Sequence, residues 1–256
     1  MIRAMAIGLM ATATAMVARA DDAADRLTSA GISEFSAAFR AWDGARFAKA
    51  AHHFRTAAAM TPQSPVNFYW QGVASFHRML QIESQSTPDM PAANAAMQDA
   101  IDALESAVRI DPHHAESHAL LGTLYGMKIR GGLLRAIRYG PRVQEHQKHA
   151  LHSGADNPRV KYLFGTGLLH TAKNAADHRK ALATLLAAEK LFLIEAKHPP
   201  KPFEPRWGLS SCRTFIGLTY LKLGEEAHAA EYFKKALAEH PNDHIAKEQL
   251  ARITPH

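Results

Sequence analysis

Residues 210–243 read SSCRTFIGLTYLKLGEEAHAAEYFKKALAEHPND, and the placing of small and bulky side chains in this stretch decides the fold. Ile216-Gly217 is followed by Tyr220, Gly224, Ala229, Phe233, Ala236 and Pro241. Two antiparallel helices approach closely only where side chains are small, so Gly217, Ala229 and Ala236 mark crossing points. Ile216, Tyr220 and Phe233 fill the space beside them. Gly224 ends the first helix and Pro241 stops the second.

The same grammar recurs upstream in weaker form. Pairs of small or apolar residues seven apart mark second helices at Ala50/Ala57, Ala100/Ala107, Val143/Ala150, Ala181/Ala188 and Ala229/Ala236. A glycine follows fifteen residues after the second member at Gly72, Gly122 and Gly165. Pro62 and Pro112 fall five residues after Ala57 and Ala107, as Pro241 does after Ala236. Alanine-rich chains produce such pairs by chance, but not glycines and prolines at fixed offsets from them. Self-similarity of this kind is the signature of a stacked repeat.

The spacing in 210–243 resembles a tetratricopeptide repeat, with Arg213 where that family usually carries tryptophan. The irregular units, together with Leu121-Gly122 through Tyr125-Gly126-Met127-Lys128, Asn157-Pro158-Arg159-Val160 and Pro205-Arg206-Trp207-Gly208, resemble a group of exported bacterial tetratricopeptide-repeat proteins. The resemblance covers nearly all of the chain after the leader and implies a fold without implying an activity. The expected fold is all-α, a solenoid of about five helix pairs with a C-terminal capping helix. The pairs span roughly 31–64, 65–114, 115–157, 158–209 and 210–243, and His244–Ile253 covers the exposed end of the stack. Ala37 and Ala38 replace the apolar-glycine pair in the first, degenerate unit.

Departures from the plain period locate insertions. The second unit carries about sixteen extra residues around Ser84–Ala93, where Ser, Pro and Gln indicate an exposed loop. About nine extra lie between the helices of the third unit, within Lys128–Pro141, and about four in the fourth. A proline-rich join, Lys197–Gly208, leads into the fifth.

Residues 1–20 read as a sorting signal. Arg3 precedes an uncharged run from Ala4 to Val17, and Ala18-Arg19-Ala20 supplies the small residues that a signal peptidase requires. Cleavage before Asp21 leaves a repeat domain over 21–256 and a periplasmic address. Losing Arg3 and Arg19 lowers the formal net charge from +6 to +4. That charge is too small and too spread out to argue for nucleic acid. Cys212 is the only cysteine, so there is no internal disulfide.

Each first helix presents a face to the concave side, readable from the repeat glycines through helical periodicity. The candidate groove comprises Tyr69, His77, Glu116, Thr123, Arg159, Tyr162, Thr166 and His170, a mixture of aromatic, hydroxyl and weakly charged groups that suits an extended peptide or a helix. Tetratricopeptide proteins that hold a partner's C-terminal carboxylate use lysines, an arginine and asparagines, and this face lacks the asparagines and most of the lysines. The expected function is a periplasmic scaffold or adaptor for a protein or peptide. The alternative is a small-ligand or metal-binding protein.

Other chemistry is sparse. Lys128–Lys148 is the most basic part of the chain, with Glu145 its one acid. It reads first as an inserted helix that packs Leu133, Leu134 and Ile137 on the array and solvates its arginines. Contact of Lys128–Arg142 with an acidic partner or an anionic membrane surface is the second reading. His146, His149 and His152, and His114 with His118, have helical spacing but no full ligand set, so neither metal nor cofactor is assigned. No Gly-x-Ser-x-Gly turn or phosphate loop occurs, and the chain does not read as an enzyme. Cys212 reads as a structural thiol.

Overall fold

A computed structural model describes residues 2–254, with side chains from Asp21 onward. The leader reading for residues 1–20 therefore lies outside the residues whose side chains are described. Every secondary-structure element among the described residues is a helix: α1 (Ile2–Ala41), α2 (Gly44–Met60), α3 (Pro65–Glu83), α4 (Met90–Ile110), α5 (Ala115–Ile129), α6 (Leu133–Gly154), α7 (Pro158–Thr171), α8 (Ala175–Glu195), α9 (Leu209–Lys222), α10 (Glu226–Glu239) and α11 (His244–Ile253). The helices pair in sequence and α11 closes the end, which is the tetratricopeptide-like solenoid the spacing predicts. No helix among the described residues is long and apolar enough to cross a membrane.

The last pair shows why the spacing works. A Cβ on Gly217 would lie 2.6 Å from the Phe233 ring, so only glycine lets α9 close on α10. Phe233, Ile216, Ala229 and Ala236 are fully buried, and burying a phenylalanine of this kind contributes about 1.5–3 kcal/mol. Gly224 adopts φ +78°, while the N–H of Glu225 donates to the Tyr220 carbonyl at 2.9 Å. That left-handed cap satisfies carbonyls left open at the end of α9. Four residues into each second-helix pair stands the side chain opposite the first helix: Phe54, Leu104, Gln147, Leu185 and Phe233. Four of the five are apolar and fully buried. Gln147 is the exception, and Ala150 is the one buried residue of α6.

The chain divides into two compact units, one of Met1–Phe39 with Asp43–Ile110, the other of Arg40–Trp42 with Asp111–His256. In the first unit the helical stripe Ala24, Thr28, Phe35 and Ala38 is buried, so the first helix of the array begins before the residue 31 expected. Its core is aromatic. Phe35 lies 5.5 Å from Trp70 and 5.1 Å from His77, and Phe54 stacks on Trp70 at 5.6 Å. A Thr28–Asn67–Thr61 chain of hydrogen bonds, 2.7 and 3.3 Å long, ties α1 and the α2–α3 turn to α3.

Two expectations about insertions are corrected. The loop in the second helix pair is confined to residues 84–89, helix resumes at Met90, and Ala93 is core at 1% exposure. The extra residues are spent mainly on lengthening α3 and α4 to 19 and 21 residues. In the third unit the segment between helices shrinks to Arg130-Gly131-Gly132, and α6 runs through Pro141. Composition marked Ser84–Ala93 as loop, but alanine content favours helix from Met90 onward; the inserted residues of the third unit are helical as read, but continuous with α6 rather than separate from it.

Candidate functional site

In the second compact unit, Arg40–Trp42 with Asp111–His256, α7 packs against both α5 and α9, so three first helices stand side by side. The N-terminal part of this row is closed by charge. Arg159, 2% exposed, donates from Nε to Glu116 Oε1 at 2.7 Å and from Nη1 to Glu195 Oε2 at 3.0 Å. Its Nη2 makes a second, short contact with Glu195, and Nη1 also reaches the Trp207 carbonyl at 3.4 Å. Asn157 donates to the same Glu116 oxygen at 2.7 Å while its Oδ1 caps α7. Gly208 turns at φ +113°, and a Cβ there would meet the Phe192 ring at 2.8 Å. The Asn157-Pro158-Arg159 and Trp207-Gly208 segments thus serve one clamp joining α5, α7, α8 and the start of α9. Four guanidinium hydrogen bonds reach the two carboxylates and the carbonyl around Arg159, the fork geometry that suits arginine to such a site.

A second ionic tie explains Arg213. Its Nε donates to Glu189 at 2.8 Å and its Nη1 to Glu239 at 2.6 Å, and Tyr232 donates to the other Glu189 oxygen at 3.2 Å. Where a tryptophan would fill space, an arginine fastens α8 to both helices of the next pair. Cys212 is fully buried beside it, with its thiol 3.4 Å from the Leu185 carbonyl. Burial pushes this thiol far above its ordinary pKa, assisted by Glu189, so it is structural rather than nucleophilic.

The eight groove residues occupy two kinds of position. Tyr69, His77, Glu116, Arg159, Tyr162 and Thr166 are buried, Thr123 is half-buried and His170 is exposed. His77 lies among Phe35, Phe39, Phe47 and Phe76, with Nδ1 2.8 Å from the Val73 carbonyl. Tyr162 packs between Phe192 and Phe215. The accessible part of the second unit's row lies toward the helix C-termini, where Thr123 and Met127 of α5, His170 of α7, and Leu218 and Lys222 of α9 are half-buried or exposed. Charge and aromatic bulk hold the helices at fixed spacing at one end, and mixed apolar and polar groups face outward at the other.

Histidines gather between α5 and α6. His118 Nδ1 and His146 Nδ1 are 2.9 Å apart, His118 Nε2 is 3.0 Å from the Pro112 carbonyl, and the His149 ring stacks on His118 at 4.9 Å. His114 instead caps α5 by accepting from the Ser117 N–H at 3.3 Å. Burial is the main cause holding both His114 and His118 below the ordinary imidazole value. Among the described residues no group of three His, Cys, Asp or Glu side chains is placed to hold a metal ion.

The basic segment departs from its expected packing. Leu133, Leu134 and Ile137 are 77%, 83% and 66% exposed. The stripe of α6 turned toward α5 runs through Ala136, Tyr139, Val143, Gln147 and Ala150, all buried or half-buried. Helical geometry places the two leucines and the isoleucine off that stripe. Tyr139 stacks on Tyr125 at 5.9 Å, and Arg142 donates to the Tyr125 hydroxyl at 2.7 Å, which fixes the rotation of α6 and keeps the apolar trio outward.

Fold and face together define the class: a tetratricopeptide-like repeat scaffold, all-helical among the described residues. Residues 36–253 match the family described as regulator of microtubule dynamics protein 1-3, and the chain belongs to that family. No curated protein matches. Among solved structures, the thermophilic tetratricopeptide-repeat protein TTC0263 of Thermus thermophilus is similar at 18% identity and a TM-score of 0.57, over 87% of this chain and 98% of that one. MamA (18% identity, 83% and 91% covered) and YrrB, described as having an unusual peptide-binding site (14%, 79% and 82%), align with TM-scores of 0.38 and 0.39. Likeness to TTC0263 at this identity shows the fold alone.

Proposed function

We propose that this chain is an exported scaffold that holds a protein or peptide across the first-helix face of its second unit. The observation that carries the reading is the row α5, α7, α9, locked at one end by the Arg159 clamp and accessible at the other through Thr123, Met127, His170, Leu218 and Lys222. A preset spacing lowers the ordering cost of binding, and a face of mixed character accepts an extended segment or a helix. The periplasmic address rests on Arg3, the apolar run Ala4–Val17 and Ala18-Arg19-Ala20.

Affinity capture from periplasmic extract, read by mass spectrometry, tests this. A retained protein should be lost from a Thr123→Arg/His170→Glu variant, which changes accessible positions and leaves the clamp intact. Retention of the same protein by the variant would remove the face from consideration. The family's description favours a second partner, polymerised tubulin. Co-sedimentation of the purified chain with microtubules would favour it, whereas recovery of the chain from periplasm with Asp21 at its N-terminus would exclude that encounter.

A further inference from the structure

The strongest unassigned feature is the start of α6. Three large apolar side chains, Leu133, Leu134 and Ile137, stand 66–83% exposed within one helical turn, immediately after the Arg130-Gly131-Gly132 corner. Lys128, Arg130, Arg135, Arg138 and Arg142 accompany them, and no Asp or Glu occurs from Lys128 to Gln144. Exposed single leucines need no explanation, but a cluster ringed by one sign of charge does. On the helix, Arg135, Arg138 and Arg142 lie beside the apolar trio, between it and the stripe packed on α5. Arg138 lies over the Tyr139 ring at 5.3 Å and Arg142 over Tyr125 at 5.1 Å, so aromatic stacking positions two of the three.

We infer that this helix start docks on an anionic lipid bilayer, with Leu133, Leu134 and Ile137 entering the interface and Arg135 and Arg138 meeting the headgroups. The reach of the apolar group separates a bilayer from a helix-binding protein groove. A groove partner reads apolar anchors over two or more turns, whereas this stripe stops at Ile137 because Gly140 and Pro141 follow it. One turn of bulky side chains flanked by arginines suits shallow insertion, whose strength grows with apolar area and with each cation near the surface. Binding of this size is weak and reversible, and adds to whatever the first-helix face holds.

Vesicle co-sedimentation of the full chain tests the inference, using phosphatidylcholine vesicles with and without phosphatidylglycerol. Three chains are compared: the unaltered protein, Leu133→Ser/Leu134→Ser/Ile137→Ser, and Arg135→Gln/Arg138→Gln. The changed positions are exposed, and a matching helical circular dichroism spectrum shows that each variant folds. The unaltered chain should bind phosphatidylglycerol vesicles more tightly than phosphatidylcholine alone. The serine variant should lose most of that binding, and the glutamine variant should weaken it by roughly fivefold or more per charge removed. The same three chains beginning at Asp21 are compared in parallel, so that binding by the apolar run Ala4–Val17 cannot mask a difference between them. Equal sedimentation of all three chains, or no preference for the anionic lipid, would overturn the inference. Retention on polyglutamate without vesicle binding would also overturn it, in favour of an acidic protein partner.

Discussion

Replacing Arg159 by methionine removes a charge that four segments share. The substitution keeps a flexible apolar stem against Phe192, over whose ring the guanidinium sits at 5.7 Å, and deletes the bonds to Glu116, Glu195 and the Trp207 carbonyl. Two carboxylates remain. Glu116 has a side chain only 8% exposed and keeps its hydrogen bond from Asn157. Glu195, at 17%, is better placed to recruit water. Breaking a buried ion pair from one side costs about 3–5 kcal/mol because a charge is left buried without its partner, and the access of Glu195 to solvent sets the expectation near ~3 kcal/mol. For a unit of this size that corresponds to a midpoint lowered by roughly 6–12 °C. Urea and thermal unfolding followed by circular dichroism would measure it. Adding Glu116→Gln should recover a substantial part of the loss, since the buried charge then disappears with its partner. A loss below about 1 kcal/mol for Arg159→Met, the size expected of a surface pair, or no recovery in the double variant, would refute the clamp.

Further tests follow from single positions. Gly217→Ala should lower stability by about 1–3 kcal/mol through its clash with Phe233. By contrast Gly126→Ala, where a Cβ has nothing within 4 Å, should raise it by about 0.5–1 kcal/mol, both read from urea midpoints. His114 and His118 are held below their ordinary value of 6.5 in the folded chain, so the unfolded chain takes up these protons first. Their contribution is complete above pH 6.5 and is lost as the pH falls through 6.5 toward the lowered folded values. His118→Gln should flatten this part of the stability–pH profile, and an unchanged profile would count against it. Cys212 should react with a thiol reagent only as fast as the second unit opens, so its labelling rate should rise with urea. Rapid labelling in native buffer would contradict its burial.

Much of the fold was legible because the repeat writes itself locally. Gly217 and Phe233 are sixteen residues apart on consecutive helices, and the distance between small and large residues fixes their meeting. The polar clamp is written otherwise. Glu116 and Arg159 are separated by 43 residues, and Arg159 and Glu195 by 36, with no pattern between them. One signal was present: both Glu116 and Arg159 stand six residues before a repeat glycine, Gly122 and Gly165. Opposite charges in the same register of adjacent first helices face each other. The position three residues before the glycine put Tyr69 and Tyr162 on the same face, and a face that is also a packing surface buries its bulkiest members. The exposure of Leu133, Leu134 and Ile137 escaped because composition reveals an apolar cluster without revealing the rotation of the helix that carries it.

The third helix pair bears on how such an array yields. In a stack where each pair touches only its neighbours, the least secured layer opens first, and the layers beyond it need not follow. Helix α6 presents Gln147 where its counterparts present Phe54, Leu104, Leu185 and Phe233, and Ala150 is the one buried side chain along its 22 residues. Its amide protons should therefore exchange with deuterated solvent well before those of α8 and α10. A partial opening would release α6 as a tethered arm while α7 to α11 stay folded around their own core.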